Sequence, residues 1–191
     1  MNQRNNIYHY FRFMTALPFV WCYTFMLLSC QQVDRHLPGQ CKVYIDQMNR
    51  LAMEKYEQSI DSTFHYIQLA TAALREVDYP KGRADLDNNL GTFYDAKGNP
   101  TLALRYFNTA HGIYHEIGDS SNMVQTFMNM AMVYVETGNT DKGLSAYQKA
   151  IQVGKHLKQD SIMSLLYYNF LLQYPDQFSK DSTTFYFGNI R

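Results

Sequence analysis

The chain repeats itself at a spacing of 40 residues, and that spacing confines it to folds built by stacking one unit on the next. Leu90-Gly91-Thr92-Phe93-Tyr94-Asp95-Ala96-Lys97-Gly98-Asn99 lies over Met130-Ala131-Met132-Val133-Tyr134-Val135-Glu136-Thr137-Gly138-Asn139 without a gap. Small residues coincide at Gly91 and Ala131, tyrosines at Tyr94 and Tyr134, and the turns Gly98-Asn99 and Gly138-Asn139 coincide as well. Further on, Ala103 meets Gly143, Phe107 meets Tyr147, and Ala110 meets Ala150. The offset also runs backwards, where Asp61, Tyr66, Ile67 and Ala70 fall under Thr101, Tyr106, Phe107 and Ala110. Forwards, Ser161 and Met163 fall under Ser121 and Met123, and Asp181 under Asp141.

The residue types at these positions say what the unit is. Large and small side chains alternate where helices interlock, so Gly91, Ala131, Ala103 and Gly143 mark close approaches. The aromatics Tyr94, Phe107, Tyr134 and Tyr147 fill the wider gaps between them. Gly98 and Gly138 end the first helix of each pair, where a left-handed residue is needed. The pattern predicts helices over 40–57, 61–77, 83–97, 100–117, 121–137, 140–157, 161–174 and 182–190, an all-α chain. Asp61-Ser62-Thr63 and Asp181-Ser182-Thr183 read as caps opening the second helix of a pair.

These residues resemble the tetratricopeptide repeat, whose pattern is a large-small pair, a tyrosine three residues on, then alanine, an aromatic and alanine. The resemblance is strongest from Arg83 to Leu157, extends from Pro38 to Asp181, and is absent from the first 30 residues. It implies a right-handed α-solenoid of antiparallel helix pairs over 40–191, with the first (A) helix of each pair lining the concave side. A period above the usual 34 residues implies a longer second (B) helix, as in bacterial peptide-sensing repeat proteins and kinesin light chains.

One A-helix position recurs in every unit as Asn49, Asn89, Asn129 and Asn169. Asparagine is a poor residue inside a helix, because its amide competes with the backbone. Its carboxamide can pair with both N–H and C=O of an extended peptide, the role that the resemblance to peptide-sensing and cargo-binding repeat proteins implies. The other reading is that each asparagine bonds the neighbouring repeat and fixes the stacking. Around this row Asn88, Thr92 and Asp95 are polar, Met128, Met132 and Val135 apolar, and Tyr168 and Leu172 continue the apolar side. That makes a groove with a polar end and a methionine-rich end, suited to a peptide or amphipathic segment. Met128 and Met132 read equally as ordinary core. The lysines of a carboxylate clamp are missing, with Asn88 and Met128 at the clamp position.

The N-terminus has a separate character. No charged residue lies between Arg12 and Asp34, and no acidic one precedes Asp34. A basic start, an apolar core over Phe13 to Ser29 and then Leu27-Leu28-Ser29-Cys30 resemble a bacterial lipoprotein signal. That resemblance implies cleavage before Cys30, a lipid anchor on Cys30, and a location in the cell envelope facing the periplasm or exterior. Residues 30–39 then read as a linker. The alternative is an uncleaved membrane-spanning helix. After cleavage Cys41 is the one remaining thiol, so no internal disulfide can form.

Charge and motif content narrow the function. Lysine plus arginine (17) equals aspartate plus glutamate (17), which gives no clustered positive excess for nucleic acid. His111 and His115 stand four apart without a third ligand and read as surface histidines rather than a metal pair. No phosphate loop or nucleophile motif stands out, so no cofactor and no catalysis are expected. The expected function is an envelope-anchored scaffold or assembly module that holds a peptide or protein segment. The rival reading is a sensory fragment of a larger signalling or transcription-regulating membrane protein. Phe185, Tyr186 and Phe187 do not make a polar cap, which points to a truncated longer chain or to self-association through the last repeat.

Overall fold

The computed structural model of the chain describes residues 38–56, 58–157 and 160–175. The expected signal segment, Cys30 and the helix over 182–190 lie outside the described residues. Among the described residues seven helices follow one another: α1 (Pro38–Tyr56), α2 (Ile60–Ala73), α3 (Pro80–Ala96), α4 (Pro100–Glu116), α5 (Ser120–Glu136), α6 (Thr140–Gly154) and α7 (Asp160–Gln173). There is no strand among the described residues. The first helix begins at Pro38, so the last two residues of the expected linker are already helical.

Local chemistry sets the boundaries. Pro80 and Pro100 open α3 and α4, a place where a missing N–H costs nothing and a fixed φ helps. Pro80 also moves one expected limit. The residue before a proline is driven to extended backbone, so Tyr79 is not helical and α3 starts at Pro80 rather than 83; α2 stops at Ala73 rather than 77. Helix α6 stops at Gly154 instead of 157. The cap of α2 is Ser59, whose side chain accepts from the Ser62 N–H at 3.2 Å, while Asp61, expected as the cap, lies inside the first turn. Asn99 and Asp119 cap α4 and α5 in the same way, accepting from Leu102 N and Asn122 N. Gly98 and Gly138 end α3 and α5 with φ of 69° and 77°, as the spacing predicts.

Packing follows the alternation of large and small. Phe107 and Tyr147 are sealed in the core, and Tyr94 and Tyr134 are half-buried beside them. Gly91 lies so close beneath Phe107 that an added Cβ would stand 2.5 Å from the ring's Cδ1. One core cluster joins α1, α2 and α3 through Ile45, Met48, Ile67, Leu74 and Leu86. Another joins α5, α6 and α7 through Met128, Tyr147, Leu166 and Phe170. Helix α3 packs on α5, and α5 on α7, whereas among the described residues α2, α4 and α6 share no close backbone contact with one another. The A helices therefore crowd the inner side of a curve and the B helices spread along the outer side. This is the arrangement of an α-solenoid.

Candidate ligand-binding groove

The inner side is built by α1, α3, α5 and α7, and the recurring asparagines lie along the seams between them. Asn49 Nδ2 donates to the Gly82 carbonyl at 3.0 Å. Asn89 Nδ2 donates to the Asn49 carbonyl at 2.9 Å and reaches its Oδ1 at 3.4 Å. Gly82 makes the first of these possible, since a Cβ there would stand 2.7 Å from Ile45 Cγ2. With exposures of 4% and 3%, Asn49 and Asn89 face a neighbouring helix rather than the groove. Asn129 continues the ladder by donating to Asn88 Oδ1 at 3.1 Å, but both side chains stay half-buried. Asn169 is half-buried on α7.

Replacing Asn89 with alanine is accordingly expected to lower unfolding free energy by about 1–2 kcal/mol, since the bonds lost are buried and alanine restores some helix propensity. Chemical denaturation measures it. An unchanged midpoint would show that these bonds contribute nothing to stacking.

The groove floor proper comes from the next positions along each A helix. Asn88, Thr92 and Asp95 on α3 are half-buried, and Thr92 Oγ1 donates back to the Asn88 carbonyl at 3.2 Å. On α5 the two methionines part company. Met128 is core, packed with Leu166 and Phe170, so the expectation that it lines a groove gives way to burial under α7. Met132 is 40% exposed, and α7 adds Leu165, Tyr168 and Leu172 at 47%, 54% and 61%. The last three are spaced i, i+3 and i+7, so they form one stripe on one face.

At the C-terminal ends of the A helices stand Tyr56, Asp95 and Glu136. Burial, and then the neighbouring Glu136, push the Asp95 carboxyl above the usual range. Burial, Asp95 and Glu136 in turn push the Tyr56 hydroxyl up. Glu136 and Tyr56 were not picked out from the sequence, although Glu136 stands one turn beyond Met132. Asp87 was also missed: it is buried in α3, and its carboxyl is pushed up to about 6 by burial, against the pull of Arg83. Shifting by 40 would have exposed it, because Phe127 and Tyr167 occupy its place in later units.

Two recesses lie away from this face. One of about 450 Å³ is lined by Arg75, Tyr79, Arg83 and Glu116, and one of about 170 Å³ by Asn108, Phe127, Tyr134 and Lys149. His111 sits beside the second, its ring 4.1 Å from Phe127 and its Nδ1 buried without a hydrogen bond. Burial, then His115 and Lys149, hold its pKa below the usual value. It is thus half-buried against an aromatic ring rather than solvated as expected. Among the described residues no three histidine, cysteine or acidic side chains gather as metal ligands. No described helix is long and apolar enough to cross a membrane.

Residues 82–156 match the tetratricopeptide repeat family. Over these residues the chain is similar to tetratricopeptide repeat proteins. No curated protein matches the chain. Tetratricopeptide repeats are protein-interaction modules, and the matched span covers α3 to α6, the helices that place Asn88, Thr92, Asp95 and Met132 on one side.

Proposed function

We propose that this tetratricopeptide repeat module holds a peptide or protein segment along its inner face and serves as a scaffold or assembly factor. The observation that carries this reading is the set of exposed apolar residues Met132 on α5 and Leu165, Tyr168 and Leu172 on α7, with the half-buried polar Asn88, Thr92 and Asp95 on α3. Scattered exposed apolar residues are ordinary, whereas a continuous stripe rimmed by polar groups is the mark of an interaction surface. Asn88, Asn129 and Asn169 retain partly exposed carboxamides that can pair with a ligand backbone, while Asn49 and Asn89 hold the helices in register.

The proposal extends to placement. Acylation of Cys30 would tether the module to a bacterial envelope membrane, with the groove facing the periplasm or the exterior. Two measurements test the whole. Leu172→Ser with Tyr168→Ser is expected to weaken capture of synthetic apolar peptides at least tenfold, a loss of about 1.4 kcal/mol, with helicity kept. Equal capture by parent and variant would remove the groove. Cys30→Ala is expected to abolish labelled fatty-acid incorporation, and undiminished labelling would remove the anchor.

A further inference from the structure

An occupant of the apolar stripe would also lie near two carboxylates that have no ion-pair partner among the described residues. Asp95 lies in the last turn of α3, and Glu136 ends α5 one helical turn after the exposed Met132, so acid and apolar side chain adjoin there. The ion pairs among the described residues lie elsewhere, at Arg50–Glu54 and Lys81–Asp85. The nearest lysines in sequence are turned to other partners. Lys97, beside Asp95, lies over the Phe93 ring at 5.7 Å, and Lys142, beyond Glu136, lies over the Tyr134 ring at 5.8 Å. No basic group is among the charges acting on Asp95, while Glu136 is.

Acids at these places are unfavourable for the fold. The C-terminal end of a helix carries partial negative charge, so a carboxylate there is destabilising, and Asp95 is also partly desolvated. Both terms would be offset by a cation brought in from outside. The face is thus acidic where α3 and α5 end and apolar along α5 and α7.

We infer that the occupant of the inner face is a segment with lysine or arginine next to bulky apolar residues, its cation over Asp95 and Glu136 and its apolar side chains on Met132, Tyr168 and Leu172. This rests on the groove reading above and names the ligand class for it. Charge complementarity of this kind sets specificity and association rate more than total affinity.

The test uses the full chain and three matched sets of synthetic peptides. All share one apolar core, flanked by lysine and arginine, by glutamate, or by neutral residues. The basic set is expected to bind about tenfold more tightly than the acidic set at low salt, with the ratio shrinking as salt screens exposed charge. In Asp95→Asn/Glu136→Gln the ratio should fall towards one, because the basic set weakens more than the neutral set. In Leu172→Ser all three sets should weaken together. Equal binding of the three sets by the parent chain would overturn the charge inference and leave the groove reading standing. No binding by any set would overturn both. Concentration-dependent dimerisation that blocks the peptides would overturn the inference in favour of a second copy as occupant. Circular dichroism melting controls for folding, and both charge substitutions are close in shape to the side chains they replace.

Discussion

Phe107→Ala is expected to lower the free energy of unfolding by about 3–5 kcal/mol, the upper range for a single core truncation. Phe107 is 1% exposed and shares its cluster with Ala103, Met130 and Val133, so its ring joins α4 to α5 while covering Gly91 on α3. The size of the effect comes from those neighbours. A cavity is cheapest where surrounding side chains can collapse into it, and glycine and alanine have nothing to move. The loss should also reduce cooperativity, because a solenoid is held together by contacts between successive units and Phe107 stands at the middle of this one. Urea unfolding followed by circular dichroism reads both, as a lower midpoint and a shallower slope. Phe107→Leu, which keeps most of the volume, should recover more than half. A cost below about 1 kcal/mol for the alanine variant would mean that the ring is not the wedge its packing indicates.

How much of this was legible in advance differs between fold and groove for physical reasons. The helix pairs, the turns at Gly98 and Gly138 and the wedge residues Phe107 and Tyr147 all follow from period and side-chain volume, which the sequence displays directly. The early start of α3 is also displayed, by Pro80, whereas the repeat alignment alone points to residue 83. The groove was harder because burial is a tertiary property. Met128 and Met132 are the same residue type four apart, and only the placement of α7 decides that one is core and the other exposed. The asparagines show the same limit. Their recurrence marks a repeated polar requirement, and a carboxamide can meet a ligand or a neighbouring helix equally well. At Asn49 and Asn89 the close approach at Gly82 settles it in favour of the helix. The Tyr147 hydroxyl, buried without a partner and pushed up to about 12, is a departure from good packing that no spacing rule could predict.

Asp87→Asn is expected to leave stability unchanged near about pH 4 and to raise it by about 2–3 kcal/mol at neutral pH. Asp87 occupies the place that Phe127 and Tyr167 take in later units, so a carboxyl stands where the fold provides a largely dry pocket for an aromatic ring. Burial favours the neutral acid and pushes the carboxyl from an ordinary 3.8 up to about 6, with Arg83 pulling weakly the other way. The sign follows from which state holds the proton. Below both values Asp87 is protonated folded and unfolded, and it contributes its full stability. Between them the unfolded chain has released its proton while the folded chain keeps it, so stability falls with each unit of pH. Above about 6 both states are ionised and the penalty stays constant. Asparagine imitates the neutral acid at every pH and should abolish that slope. Denaturation of parent and variant across this range measures the difference directly. A free-energy gap that does not change with pH would show that Asp87 ionises as readily in the folded protein as in the unfolded one, and that its pocket is wet.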